Sequence, residues 1–227
     1  MATASKRITR KQLRQPDWFQ VTTENTLEYY NHHKGLVFAA LAVFLVLGAI
    51  IWGWQVFKQR QNLAASREFG RAMALYQGEK YGEAIQAFES VKDYRWSRYA
   101  ILAHLYLTDS YLATNDLDKA IIEGQRSLAA TSPDSLYRQI ALVDLATSEE
   151  EKQQFKSSLE HYSDAQNIPG PLHGEALLGK ARCAEKLGNT AMAIAAYKEF
   201  LKDNPGSPYA VRVNELEAKS PAGATGK

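Results

Sequence analysis

Hydrophobic and polar positions are patterned in two ways along this chain. Between Gly35 and Phe57 there is no alternation: GLVFAALAVFLVLGAIIWGWQVF carries no charge, and Gln55 is its one strongly polar residue. At about 1.5 Å per residue such a helix reaches about 34 Å, enough for a hydrocarbon core of about 30 Å. Trp52 and Trp54 stand near one end, where indole rings favour the interface. The alternative is a core helix buried in a globule. A cleaved signal peptide is disfavoured, because the apolar run is too long and begins too far from Met1. No cysteine follows it to serve as a lipoprotein cleavage site.

Beyond this stretch the pattern becomes amphipathic and recurs. YGEAIQAFESV begins at Tyr81, LDKAIIEGQRSL at Leu117, FKSSLEHYSDA at Phe155 and TAMAIAAYKEFL at Thr190. Each holds a small residue followed by an aliphatic one: Ala84-Ile85, Ala120-Ile121, Ser158-Leu159 and Ala193-Ile194, spaced 36, 38 and 35 residues apart. Phe88, Tyr162 and Tyr197 stand four positions after the small residue in three of the four, on the same helical face. The small residue admits a neighbouring helix closely, and the aromatic fills the space beside it. A second amphipathic stretch precedes three of these segments: Ala100–Ala113, Leu136–Thr147 and Glu175–Leu187. Polar joints (Thr114 to Asp116, Ser148 to Lys152, Gly188-Asn189) separate the members, and Asn204-Pro205-Gly206 and Ile168-Pro169-Gly170-Pro171 are breakers. Helix pairs of this period predict an α-solenoid; the alternative is a generic helical bundle.

The expected organisation is therefore all-α: one N-terminal transmembrane helix, then a repeat domain of about four helix pairs. Residues 1–23 form a basic, flexible tail, 24–57 the juxtamembrane and transmembrane helix, 58–219 the repeat domain and 220–227 a disordered tail. Thr22 or Thr23 can cap the first helix, with Glu24 in its first turn, and nothing breaks the chain sharply between Phe57 and Tyr76. The composition, rich in Ala, Leu, Glu, Lys and Gln, suits helices. A net charge of +2 implies no broad basic surface for nucleic acid. Lys6, Arg7, Arg10, Lys11, Arg14 and Lys34 precede the apolar stretch, and Lys58, Arg60, Arg67 and Arg71 follow it. The charges on its two sides are nearly even close to the membrane, so charge alone sets no orientation.

Candidate chemistry is sparse. His32-His33 has no carboxylate or cysteine at metal-ligand spacing and reads as a solvated or headgroup-level pair. His104, His161 and His173 fall in separate repeats and read as surface or half-buried helix residues. Cys183, the single cysteine, lies too far along its helix from His173 for a nucleophile–base pair and reads as a packing residue. Glu149-Glu150-Glu151 reads as a solvated charge run. No phosphate loop is present, since Gly170 to Gly174 lacks the spacing and the lysine. The apolar stretch holds no ionisable residue, as a transporter usually would, and Gly48 and Gly53 miss the four-residue dimer spacing. No cofactor, metal or catalytic activity is expected.

The period and pattern resemble the tetratricopeptide repeat. Ala181, Gly188, Ala193, Tyr197 and Pro205 fall where that motif has a small residue, a turn glycine, alanine, an aromatic and proline. Earlier repeats depart from it: the first lacks the proline, the second has Gly124 for the aromatic, and the third has Ser158 for alanine. The layout also resembles the YfgM-like ancillary subunits of the SecYEG translocon. The likeness lies in EYYNHHKGLVFAALAV and GEALLGKARCAEKLGNTAMAIAAY and extends roughly from Glu24 to Glu217. It implies a bacterial inner-membrane protein with a periplasmic repeat domain, associated with the translocon and with periplasmic chaperones or emerging client chains.

In a solenoid the first helix of each pair lines the concave side. The repeat alignment places Leu105, Asp109, Leu112, Val143, Glu150, Leu178, Arg182 and Glu185 there as candidate groove contacts, with packing or solvent exposure as the alternative for each. The groove lacks the Lys/Asn set that grips a chaperone's terminal carboxylate, so a helix or an extended peptide is the expected ligand. The expected partners are proteins, with the lipid bilayer holding residues 35–57. Three functions compete: a translocon-associated adaptor, a structural scaffold of another envelope complex, and an enzyme or metal site hidden in the groove.

Overall fold

The computed structural model describes residues 18–133 and 135–219, with side chains from residue 33 onward. Of the tail expected at 1–23, residues 1–17 lie outside the described residues and 18–23 are helical; the tail expected at 220–227 also lies outside them. Among those described there are nine helices and no strand: α1 Trp18–Gln77, α2 Tyr81–Lys92, α3 Arg98–Ala113, α4 Leu117–Ala130, α5 Leu136–Glu151, α6 Phe155–Gln166, α7 His173–Lys186, α8 Thr190–Asp203 and α9 Tyr209–Lys219. The chain divides into two units, at Phe57 and Lys58.

The first unit is the helical segment up to Phe57. Its helix is described from Trp18 onward, so Thr22 and Thr23 lie inside it and do not cap it. It departs from helical geometry at His33 (φ −115°, ψ 18°). Residues 34–55 are exposed throughout, with Phe44 and Trp52 more than 70 % open. A single apolar helix cannot bury its own side chains, so this one presents them on all sides. It is long and apolar enough to cross a bilayer.

The second unit begins with the last twenty residues of α1, which pair with α2. Three further pairs follow, α3–α4, α5–α6 and α7–α8, and α9 packs on the end. All four second helices begin where the sequence predicts, at Tyr81, Leu117, Phe155 and Thr190. The four small residues, Ala84, Ala120, Ser158 and Ala193, have no exposed surface, and Phe88, Tyr162 and Tyr197 are buried beside them. Gly124, in place of the fourth aromatic, lets Leu145 of α5 approach; a Cβ there would sit 3.2 Å from the Leu145 Cβ. At Gly179 of α7 the Tyr162 ring comes closer still, 2.3 Å from where a Cβ would stand.

The turn inside each pair has one form. Glu79, Asn115, Gln153 and Gly188 all have φ between 58° and 75°. The next residue's N–H reaches back to the helix: Lys80 to Leu75 O, Asp116 to Tyr111 O, Gln154 to Glu149 O and Asn189 to Ala184 O, at 2.8–3.0 Å. This is the left-handed Schellman ending, which satisfies carbonyls left open at the helix end. The sequence shows it plainly at Gly188, whereas Glu79 and Gln153 adopt it without the residue type that favours it. The third turn comes later than expected. α5 continues through Ser148 to Glu151, because Ser148 and Glu149 are buried.

A candidate protein-binding face on the first helices

Curvature within the second unit follows from which helices meet. First helices touch one another across the repeats, α3 with α5 and α5 with α7, while second helices meet only their neighbours in sequence. Close packing on one side and spreading on the other puts α3, α5 and α7 on the inner side of the curve.

The expected groove positions divide by environment. Leu105 and Val143 are buried and contribute packing. Asp109, Leu112, Glu150, Leu178, Arg182 and Glu185 are half-buried. Two of these carboxylates join successive pairs. Arg182 Nε and Nη2 donate to Glu150 at 2.7 Å each, and the Tyr162 hydroxyl donates to Glu150 at 3.0 Å, joining α5, α6 and α7. Glu185 accepts from the Tyr197 hydroxyl at 2.7 Å and from Arg212, joining α7, α8 and α9. Burial works to raise the Glu185 carboxyl, but the Arg212 and Tyr197 hydrogen bonds prevail and hold it below its ordinary value.

The Glu149–Glu151 run is not a solvated strip. Glu149 is buried and meets His161 Nδ1 at 2.8 Å, Glu150 takes Arg182, and Glu151 alone is exposed. The Glu149 hydrogen bond outweighs burial and raises the His161 imidazole. His104 is held likewise, 2.6 Å from the buried Glu123, which also accepts from Lys92 at 2.9 Å and Arg126 at 2.6 Å. Burial pushes the Glu123 carboxyl up, yet the His104 and Lys92 bonds bring it down to about 2. These contacts fasten α4 to α2 and α3. Cys183 is fully buried, 3.2 Å from the Ser158 hydroxyl, and burial raises its thiol. It is a packing residue, not an ionised nucleophile. Among the described residues no three His, Cys, Asp or Glu side chains converge on a metal position.

Sequence reasoning missed part of the same face. Asp144 stands beside Val143 in α5, and Glu175 opens α7 three residues before Leu178. Burial, with Asp109 and Glu175 nearby, pushes the Asp144 carboxyl well up. Asp109 is raised to about 6 by burial, against the lowering effect of the Tyr76 hydroxyl and with Glu175 adding repulsion. The repeat alignment was the available signal, since Asp144 and Glu175 occupy first-helix positions adjoining those already chosen.

The sequence matches the Tetratricopeptide repeat-like domain family over residues 28–211. No curated relative matches the chain. Among solved structures, MamA (AMB-1) superposes with a TM-score of 0.59 at 17 % identity, covering 71 % of this chain and 85 % of MamA. A putative kinesin light chain of Podosopora anserina with nearly identical TPR-like repeats gives 0.55 at 14 % identity, covering 68 % and 83 %. The APC/C Cut9–Hcn1 tetramer gives 0.52 at 17 % identity, covering 70 % of this chain and 31 % of that one. At such identities the likeness is one of fold. With more than half its length matched, the chain belongs to the Tetratricopeptide repeat-like domain family, whose repeats typically serve as non-catalytic scaffolds for protein–protein interaction.

Proposed function

We propose that this protein is a membrane-anchored adaptor that binds other proteins along the inner face of its repeats. In this reading residues 35–57 are the anchor and residues 58–219 the binding domain. The carrying observation is the sleeve of exposed apolar side chains over residues 34–55, which water would not tolerate and a bilayer would cover. The family match supplies the binding role, and the first-helix face supplies a surface for it. An anchor raises the effective concentration of such a surface for anything passing beside it.

The resemblance to YfgM-like subunits extends the proposal. The partner is the Sec translocon of a bacterial inner membrane, with the repeat domain in the periplasm linking the channel to chaperones or emerging chains. Protease treatment of spheroplasts tests the compartment: the repeat domain is expected to be digested without lysis. Purification of the tagged full chain from mild detergent tests the partner. Translocon subunits are expected in the eluate; their absence, with other membrane complexes intact, sinks the translocon assignment.

A further inference from the structure

Charged groups on the first-helix face fall into two sets. Towards the helix C-termini they are paired, Glu150 with Arg182 and Glu185 with Arg212. The other set is Asp109 of α3, Asp144 of α5 and Glu175 of α7, one from each consecutive first helix. The charged groups acting on Asp109 and Asp144 are acidic: Glu175 on both, and Asp109 on Asp144. The Asp144 Oδ2 atom is closed to water and has no hydrogen-bond partner. A buried acceptor left in that state costs about 1–3 kcal/mol, more when it carries charge. Most buried polar atoms in folded domains are paired; Gln61 Oε1 and Ser127 Oγ share this state, but only the Asp144 oxygen belongs to an acidic group.

The surroundings indicate what would complete the site. Tyr76 and Tyr106 meet edge to face, with ring centroids 5.1 Å apart. Tyr76 also acts on Asp109, drawing its carboxyl down against burial, and Tyr137, at the start of α5, is half open to solvent. Carboxylates bordered by phenol rings suit a cation through charge, N–H hydrogen bonds and the ring quadrupole. The acidic groups do not converge closely enough for a metal ion. A long side chain that spreads several N–H donors matches such spacing better than a point charge, arginine most of all. An apolar ligand would leave these carboxylates without a countercharge, and an acidic one would be repelled.

We infer that the stretch bounded by Tyr76, Asp109, Asp144 and Glu175 receives an arginine or lysine side chain from a protein segment lying along the first-helix face. This rests on the protein-binding reading above and gives it a chemical preference. The partner's segment is basic at one point, and the paired charges further along the face leave the rest of it undemanding.

The test uses the full chain in detergent micelles and four fluorescent nonapeptides that differ only at the central residue: Arg, Lys, Gln or Glu. Fluorescence anisotropy is expected to show the Arg and Lys peptides binding at least tenfold more tightly than the Gln peptide, and the Glu peptide weakest. Asp109→Asn with Asp144→Asn is expected to abolish the preference while raising Tm, since it removes repulsion between half-buried acidic groups. Glu175→Gln, at an exposed position, is expected to weaken the Arg peptide about threefold without moving Tm. The preference should also shrink between pH 8 and pH 5, as Asp109, raised by burial to about 6, takes up a proton. Equal binding of the Arg and Gln peptides overturns the inference, as does a preference that survives the double substitution. If no peptide binds to natively folded protein, the inference also falls. The adaptor reading is judged separately by copurification, which does not depend on these carboxylates.

Discussion

Gly179 and Tyr162 show how tightly single residues are fitted. The Tyr162 hydroxyl is held by Thr147 at 2.9 Å and by Glu150, so the ring cannot withdraw from an added methyl. Gly179→Ala is therefore expected to cost about 1–3 kcal/mol, the range for forced overpacking, read as a lower urea midpoint. Acid stability turns on Glu123. Its folded pKa of about 2 lies below its ordinary 4.5, so its contribution is present above pH 4.5 and lost as pH falls towards 2. With a side chain only 5 % exposed, that amounts to about 3 kcal/mol, and Glu123→Gln should remove this acid limb from a Tm–pH curve. Asp109 has the opposite sign. Its folded pKa, about 6, lies above its ordinary 3.8, so its ionisation penalises the native state and stability rises as pH falls from 7 to 4. His161 acts in the same direction, since its raised pKa gives stability that is lost as pH rises through it. The protein is expected to melt at a higher temperature at pH 5 than at pH 8, with Asp109→Asn narrowing the difference. A wild-type Tm equal at both values would contradict this.

At the scale of elements, the second helices were legible because their signal is local. A small residue, with an aromatic four positions on in three of the four, recurs with a fixed start, and each start is where the structure has it. The first helices were read less well at their ends. Ser148 looked like a joint because serine and three glutamates are polar, but Ser148 and Glu149 are buried, and Glu149 and Glu150 find partners on α6 and α7 that sequence spacing does not show. α9 is a cap: Val213 and Leu216 are buried against Ala181, Ala184, Ala193 and Tyr197, and Arg212 holds Glu185. Terminal repeats carry this duty because each repeat is stabilised mainly by its neighbours. Truncation after Gly206 is expected to lower Tm, and hydrogen exchange should then speed up first in α7 and α8, with α3 least affected.

At the scale of the molecule, an apolar sleeve and a repeat domain present different surfaces. Full-length protein is expected to stay in the membrane pellet after alkaline carbonate extraction, and replacement of five apolar residues between Leu36 and Ile50 by serine should release it. Recovery of the unaltered chain in the supernatant would remove the anchor from the proposal. The sequence alone determined the helical class, the period and the apolar span, because these depend on side-chain type at separations of a few residues. Tertiary structure decided which charges are neutralised and which are not. Glu150 finds Arg182 and Glu123 finds Lys92 only once repeats about thirty residues apart are stacked. The same stacking brings Asp109, Asp144 and Glu175 onto one surface, because like charges on separate helices become neighbours only when the helices pack.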